Sequence, residues 1–247
     1  MDLLFVLTQK DLGVRYRNNF LGYIWSIAHP LTYGFVFFVA FKLIIKIPTE
    51  NYALFVTAGL FPWQWFANSV SSSSTSFISY SQVVKKINFP RCAVPLSVVL
   101  QDAAHFVLAI PVVLILILCY HKMPTWEWCW GIPVLLATQL LIVCGTALFV
   151  SSITLFFRDL ERLCTIALTI LFYLTPVIYD ASMVPERFRS LMYLNPFAAQ
   201  IVAWRTLFID GRFDPALAAV ALAHGLALSV IGFGVFRRLS WKFAEVL

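Results

Sequence analysis

The chain has 247 residues, 61% of them hydrophobic and 12% charged, with a mean hydropathy of +0.84. Soluble globular domains are roughly half apolar and a quarter charged, so this composition excludes a disordered chain, a coiled coil, a secreted disulfide scaffold and an ordinary cytosolic enzyme. The net charge of +6 comes from basic residues at the ends of apolar runs, which reads as membrane topology and anionic lipid headgroups, with no nucleic-acid partner.

The expected fold is an all-α polytopic membrane protein, a single transmembrane domain over 1–247. Residues 1–25 alternate apolar positions such as Leu12, Tyr16 and Phe20 with Lys10, Arg15 and Arg17. That pattern predicts an amphipathic helix lying at the membrane interface. Met1-Asp2 begins the chain without the pattern of a secretory signal. A spanning helix needs about 20 apolar residues, and six runs qualify as spans: 27–45, 52–79, 95–120, 131–157, 163–179 and 216–236. The hydroxyl-rich stretch Ser71–Ser76 inside the second reads as close helix packing, not as a catalytic serine.

Six spans put both termini on one side. That side collects Lys10, Arg15, Arg17, Lys85, Lys86, Arg91, Arg158, Arg162, Arg237, Arg238 and Lys242, the larger share of the 18 basic residues. The positive-inside rule therefore places both termini in the cytoplasm. Between spans five and six, 180–215 is too apolar for a free loop and is broken by Asn195-Pro196. Proline there forbids one continuous helix, so two short re-entrant helices are expected next to a pathway.

Sites of chemistry are scarce. There is no G-x-x-x-x-G-K-[ST], G-x-S-x-G or H-E-x-x-H. The five cysteines have no ligand spacing, so neither a metal site nor a catalytic centre is expected. Asp102 and His105 lie one helical turn apart near the start of span three. They leave open an intramembrane acyl- or glycosyltransferase with an acid/base pair. The 2–3 loop, 80–94, includes Val84, Lys85, Lys86, Ile87, Phe89 and Arg91. Its apolar residues fit a groove on another protein, or the loop is a positively charged membrane-surface segment. Aromatic residues make up 16% of the chain, among them Phe35, Phe38, Phe41, Phe61, Trp63, Trp65, Phe172 and Tyr173. They read either as lipid-facing bulk or as faces that stack on sugars in a wet path.

Four motifs then carry a likeness. KDLGVRYRNNFLGYIWSIAHPL (10–31), VKKINFPR (84–91), FRDL (157–160) and LNPF (194–197) followed by Arg205 stand in this order. Together the motifs resemble those of ABC-2 type polysaccharide export permeases, most like the O-antigen type, over essentially the whole chain. The resemblance implies a homodimer in the bacterial inner membrane, joined to two copies of a separate ATPase that holds ATP and Mg, with no cofactor in this chain. It implies a lipid-pyrophosphate-linked polysaccharide as substrate, met at the entrance by Lys10, Arg15, Tyr16 and Arg17. The 2–3 loop would be the ATPase coupling element. The aromatics named above would line a channel, and Asn195, Pro196 and Arg205 would belong to an outer gate. A drug or small-lipid exporter and a membrane scaffold remain as alternatives.

Overall fold

The computed structural model describes residues 24–46, 51–86 and 89–246, together with Thr8. Lys10, Arg15, Tyr16 and Arg17 of the expected interfacial helix lie outside the described residues, as does Ile87. Among the described residues the architecture is all helical.

Helix α1 (Ile24–Phe37) runs on into a π-helical stretch, Phe38–Ile44. Helix α2 (Tyr52–Ser79) follows, then the short α3 (Ser81–Lys86). Next come α4 (Ala93–Cys119), α5 (Trp128–Thr154) and α6 (Leu160–Leu174). Two short helices, α7 (Glu186–Met192) and α8 (Ala198–Arg205), precede α9 (Pro215–Leu239) and the terminal turn α10 (Phe243–Val246).

Among the described residues, three helical runs are long and apolar enough to cross a membrane: Ala93–Cys119, Trp128–Thr154 and Pro215–Lys242. They match the expected third, fourth and sixth spans. Helix α2 has the length, but Gln64, Asn68 and its serines dilute its apolar character. The apolar helical stretch Leu31–Ile44 is shorter. The fifth expected span, 163–179, is corrected: the helix ends at Leu174, and Thr175 is extended at φ −90°, ψ 137°. The cause is Pro176, whose ring disfavours helical geometry in the residue before it. Asp214 begins α9 by accepting hydrogen bonds from the backbone N–H groups of Ala216 (2.9 Å) and Leu217 (3.1 Å), with Pro215 in the first turn.

Helix α2 is the central element, with Leu54, Val56, Phe61, Trp63, Trp65 and Phe66 all in the core. Helices α5 and α9 form the closest pair. A Cβ at Gly232 would run into the Gly145 backbone, and one at Gly145 into the backbone of Leu228 and Ser229. Absence of side chains at the crossing lets the backbones touch, which is how helices gain packing energy without a hydrophobic drive. By contrast, no residue of α6 is buried, and Leu163, Ile166, Ile170 and Tyr173 stand exposed along it.

Candidate functional site

Two regions gather polar and aromatic side chains, one at each end of the helical bundle. At the end carrying the 2–3 loop, Tyr80 closes α2, and α3 occupies only six residues. Lys85 is exposed on it, while Val84 is 5% exposed and turned into the chain's own core. Val84 therefore faces inward, away from any partner groove. Phe89 and Arg91 are half-buried, and the Arg91 guanidinium donates to the Ser240 carbonyl of the C-terminal segment. The loop is thus tied to the end of α9 before any partner meets it.

At the opposite end, the extended strap after α6 is held from three sides. The Tyr52 hydroxyl donates to the Ile178 carbonyl at 2.8 Å, and Arg205 Nη2 donates to the Val177 carbonyl at 2.8 Å. Asn195 Nδ2 donates to Thr175 Oγ1 at 2.8 Å. Arg205 is 6% exposed, and its guanidinium carbon sits 3.5 Å from the centroid of the Phe55 ring. A Cβ at Gly59 would lie 2.7 Å from Arg205 Nη2, so the glycine makes the room the guanidinium needs. Asn195 also accepts from the Phe197 N–H at 3.0 Å, a local turn that hands the chain past Pro196 into α8. The structure thus brings together Asn195, Pro196 and Arg205, singled out from sequence, and adds Tyr52, Phe55 and Thr175.

Asp180 ends the strap. Burial pushes its carboxyl up, but side-chain and backbone hydrogen bonds from Ser182 and the charge of Arg205 outweigh that, and it stays below the usual 3.8. Farther along, Lys122 Nζ donates to the Ile209 carbonyl (3.0 Å), and Thr125 to that of Gly211 (2.5 Å). Gly211 takes φ +68°, the left-handed cap that closes the π-helical turn Thr206–Asp210.

Between these ends runs a buried polar chain. Gln139 Nε2 donates to the Pro62 carbonyl (2.9 Å), and Gln139 Oε1 accepts from Trp204 Nε1 (2.6 Å). Thr138 Oγ1 donates to Gln200 Oε1 (2.9 Å). The network binds α2, α5 and α8 together in a setting where an unpaired polar group is costly. These residues were missed in sequence; the signal was there, as Gln139 interrupts an otherwise apolar run. Asp102 accepts from the Ser69 hydroxyl (3.0 Å) and lies 3.7 Å from His105 Nδ1, joining α2 to α4.

The aromatics divide into two groups. Phe61, Trp63 and Trp65 are buried in the protomer core. Phe38, Phe41 and Phe172 are half-buried, and Phe35 and Tyr173 are exposed. Phe172 links α6 to both neighbours, 5.6 Å from Trp63 and 5.8 Å from Phe37 between ring centroids.

Residues 2–209 match the family described as ABC-2 type transporter. This chain belongs to the ABC-2 type transporter family. It is 41% identical to the O-antigen export system permease protein RfbA of Klebsiella pneumoniae over 246 residues, covering 100% of this chain and 95% of that one. It is 32% identical to the protein of the same name from Myxococcus xanthus, covering 98% and 94%. The polysialic acid transport protein KpsM of Escherichia coli is 23% identical, covering 92% and 90%. Membership in the ABC-2 family makes the chain an integral membrane transport subunit.

Proposed function

We propose that this chain is the permease subunit of an ABC exporter that moves a lipid-linked, O-antigen-like polysaccharide across the bacterial inner membrane. The observation that carries the reading is the likeness to O-antigen export permeases along the full chain. The chain works as a homodimer with both termini in the cytoplasm, and two copies of a separate ATPase bind ATP and Mg. This division of labour fits a sequence without a phosphate-binding loop of its own.

Lys10, Arg15, Tyr16 and Arg17 receive the lipid pyrophosphate at the interface. Arginine suits this role because its planar fork pairs with two phosphate oxygens at once. The ATPase seats on the 2–3 loop through Lys85, Lys86, Ile87 and Phe89. Nucleotide-driven closure then shifts the two protomers apart. The exposed faces of Phe35 and Tyr173, with the half-buried Phe38, Phe41 and Phe172 behind them, guide the glycan by stacking on its C–H faces. The strap around Asn195, Pro196 and Arg205 gates the outer side.

The deciding experiment reconstitutes the permease with its cognate ATPase and measures ATP hydrolysis against added lipid-linked glycan. Stimulation by the glycan and not by short-chain lipids is expected; stimulation by the lipids alone would replace this reading with a small-lipid exporter. Changing Ile87 and Phe89 together to Ser is expected to abolish co-purification of the ATPase. Replacing Arg15 and Arg17 with Ala is expected to reduce surface polysaccharide with the ATPase still bound.

A further inference from the structure

Phe243, in the four-residue turn α10, is fully buried at 0% exposure. Its ring lies 4.7 Å from that of Phe77 at the end of α2, 5.6 Å from Phe236 of α9 and 6.1 Å from Phe156 just after α5. Val84 of α3, Val94 of α4, and Leu148 and Leu155 belong to the same cluster. Helices α2, α3, α4, α5 and α9 each send at least one side chain to it, and Phe243 is in ring contact with Phe77 of α2, Phe236 of α9 and Phe156 after α5. The hydrogen bond from Arg91 to the Ser240 carbonyl closes the same junction from the loop side.

We infer that Phe243 is a positioning residue that locks the C-terminal segment beneath the 2–3 loop, so that displacement of α3 is passed to α9 and α5 as one body. This rests on the reading of α3 as part of the ATPase contact. A six-residue helix has no stability of its own and takes its position from what it packs on. Among the described side chains of α3, Val84 is the buried one, and it packs into the Phe243 cluster. Helix α9 cannot slide freely on α5, because the Gly145–Gly232 crossing brings their backbones together. A push on α3 therefore meets a close-packed aromatic block continuous with two spans, and dense interiors transmit strain where a cavity would absorb it.

The test uses the whole complex in proteoliposomes and reads three quantities: ATPase co-purification, ATP hydrolysis, and glycan exported per ATP hydrolysed. Phe243→Ala is expected to keep the ATPase bound and hydrolysing while export per ATP falls about tenfold, within the usual range of coupling between sites. Phe243→Leu, which keeps apolar bulk but loses the ring contacts, is expected to shift the same ratio in the same direction by a smaller factor. It decides the matter if the Ala variant fails to assemble. A residue that only stabilises the fold would lower the amount of complex and leave the ratio at the parent value; that result overturns the inference. Loss of ATPase co-purification in the Leu variant overturns it too, because Phe243 would then shape docking and not transmission. Failure of the docking reading itself shows separately, as retained ATPase in the Ile87 and Phe89 double Ser variant.

Discussion

Arg205 stands over the Phe55 ring, its guanidinium carbon 3.5 Å from the centroid, and this pairing fastens α8 to the first turns of α2. The same guanidinium holds the Val177 carbonyl, so one side chain joins three segments. A charged hydrogen bond contributes about 1.5–3 kcal/mol and a desolvated cation–π contact about 2 kcal/mol, while the charge's own desolvation offsets part of both. Arg205→Ala is therefore expected to destabilise the protein by about 2 kcal/mol net. Arg205→Lys is expected to recover little, since an ammonium lacks the flat fork that stacks and donates together. Thermal unfolding of the purified protein in detergent measures both, and an Ala variant as stable as the parent would refute the account.

Asp180 gives the strap after α6 a pH dependence. Its folded-state pKa lies below the ordinary 3.8, so the unfolded chain takes up the proton first as acid is added. Its contribution is complete above the unfolded value and is lost as pH falls through the lower, folded one. Melting temperature should thus drop on acidification below about pH 4, and Asp180→Asn should flatten that part of the profile. A profile of the same slope in the Asn variant would assign the acid sensitivity elsewhere.

Gly232 and Gly234 stand two residues apart, on opposite faces of α9, and should answer oppositely to alanine. A methyl at Gly232 meets the Gly145 backbone, whereas one at Gly234 meets nothing within 4 Å. Overpacking against a backbone that cannot rotate away costs at least about 2 kcal/mol. On the open face, alanine gains up to about 0.8 kcal/mol of helix propensity. Comparing the melting temperatures of the two variants reads the α5–α9 contact directly; equal shifts would mean that the crossing is looser than it stands.

Gln139→Leu keeps side-chain volume but strands the Trp204 indole N–H, which Gln139 accepts at 2.6 Å. A buried donor left without a partner costs about 1–3 kcal/mol. The Gln139→Leu, Trp204→Phe double variant removes both halves of that pair and is expected to recover part of the loss. Unfolding of the two variants and the double variant forms the cycle that checks it.

Much of the fold could be read in advance where the signal is local. The third, fourth and sixth spans follow from long, predominantly apolar runs, and the helices on either side of Asn195-Pro196 from the proline. The expected fifth span, 163–179, runs five residues past the helix end at Leu174, because Val177, Ile178 and Tyr179 continue the apolar run while Pro176 sets a geometry that hydropathy ignores. Site residues were harder. Trp63 and Trp65 were read with the channel aromatics, yet both are packed inside the protomer, because α2 is covered on nearly all sides and its sequence carries no face to distinguish. Val84 was read as facing a partner for the same reason: its apolar side chain could serve either surface.

The sequence by itself determined that the chain belongs in a membrane and, through the order of its motifs, what kind of transport subunit it resembles. Transfer free energy sums over neighbours along the chain, so a run of residues declares it without reference to anything distant. Only the tertiary structure decided that Arg205 lies on Phe55, that Gln139 reaches Trp204 and that Phe243 closes the junction beneath the 2–3 loop. Those pairings depend on how helices far apart in sequence cross, and crossings are set by the fit of whole surfaces.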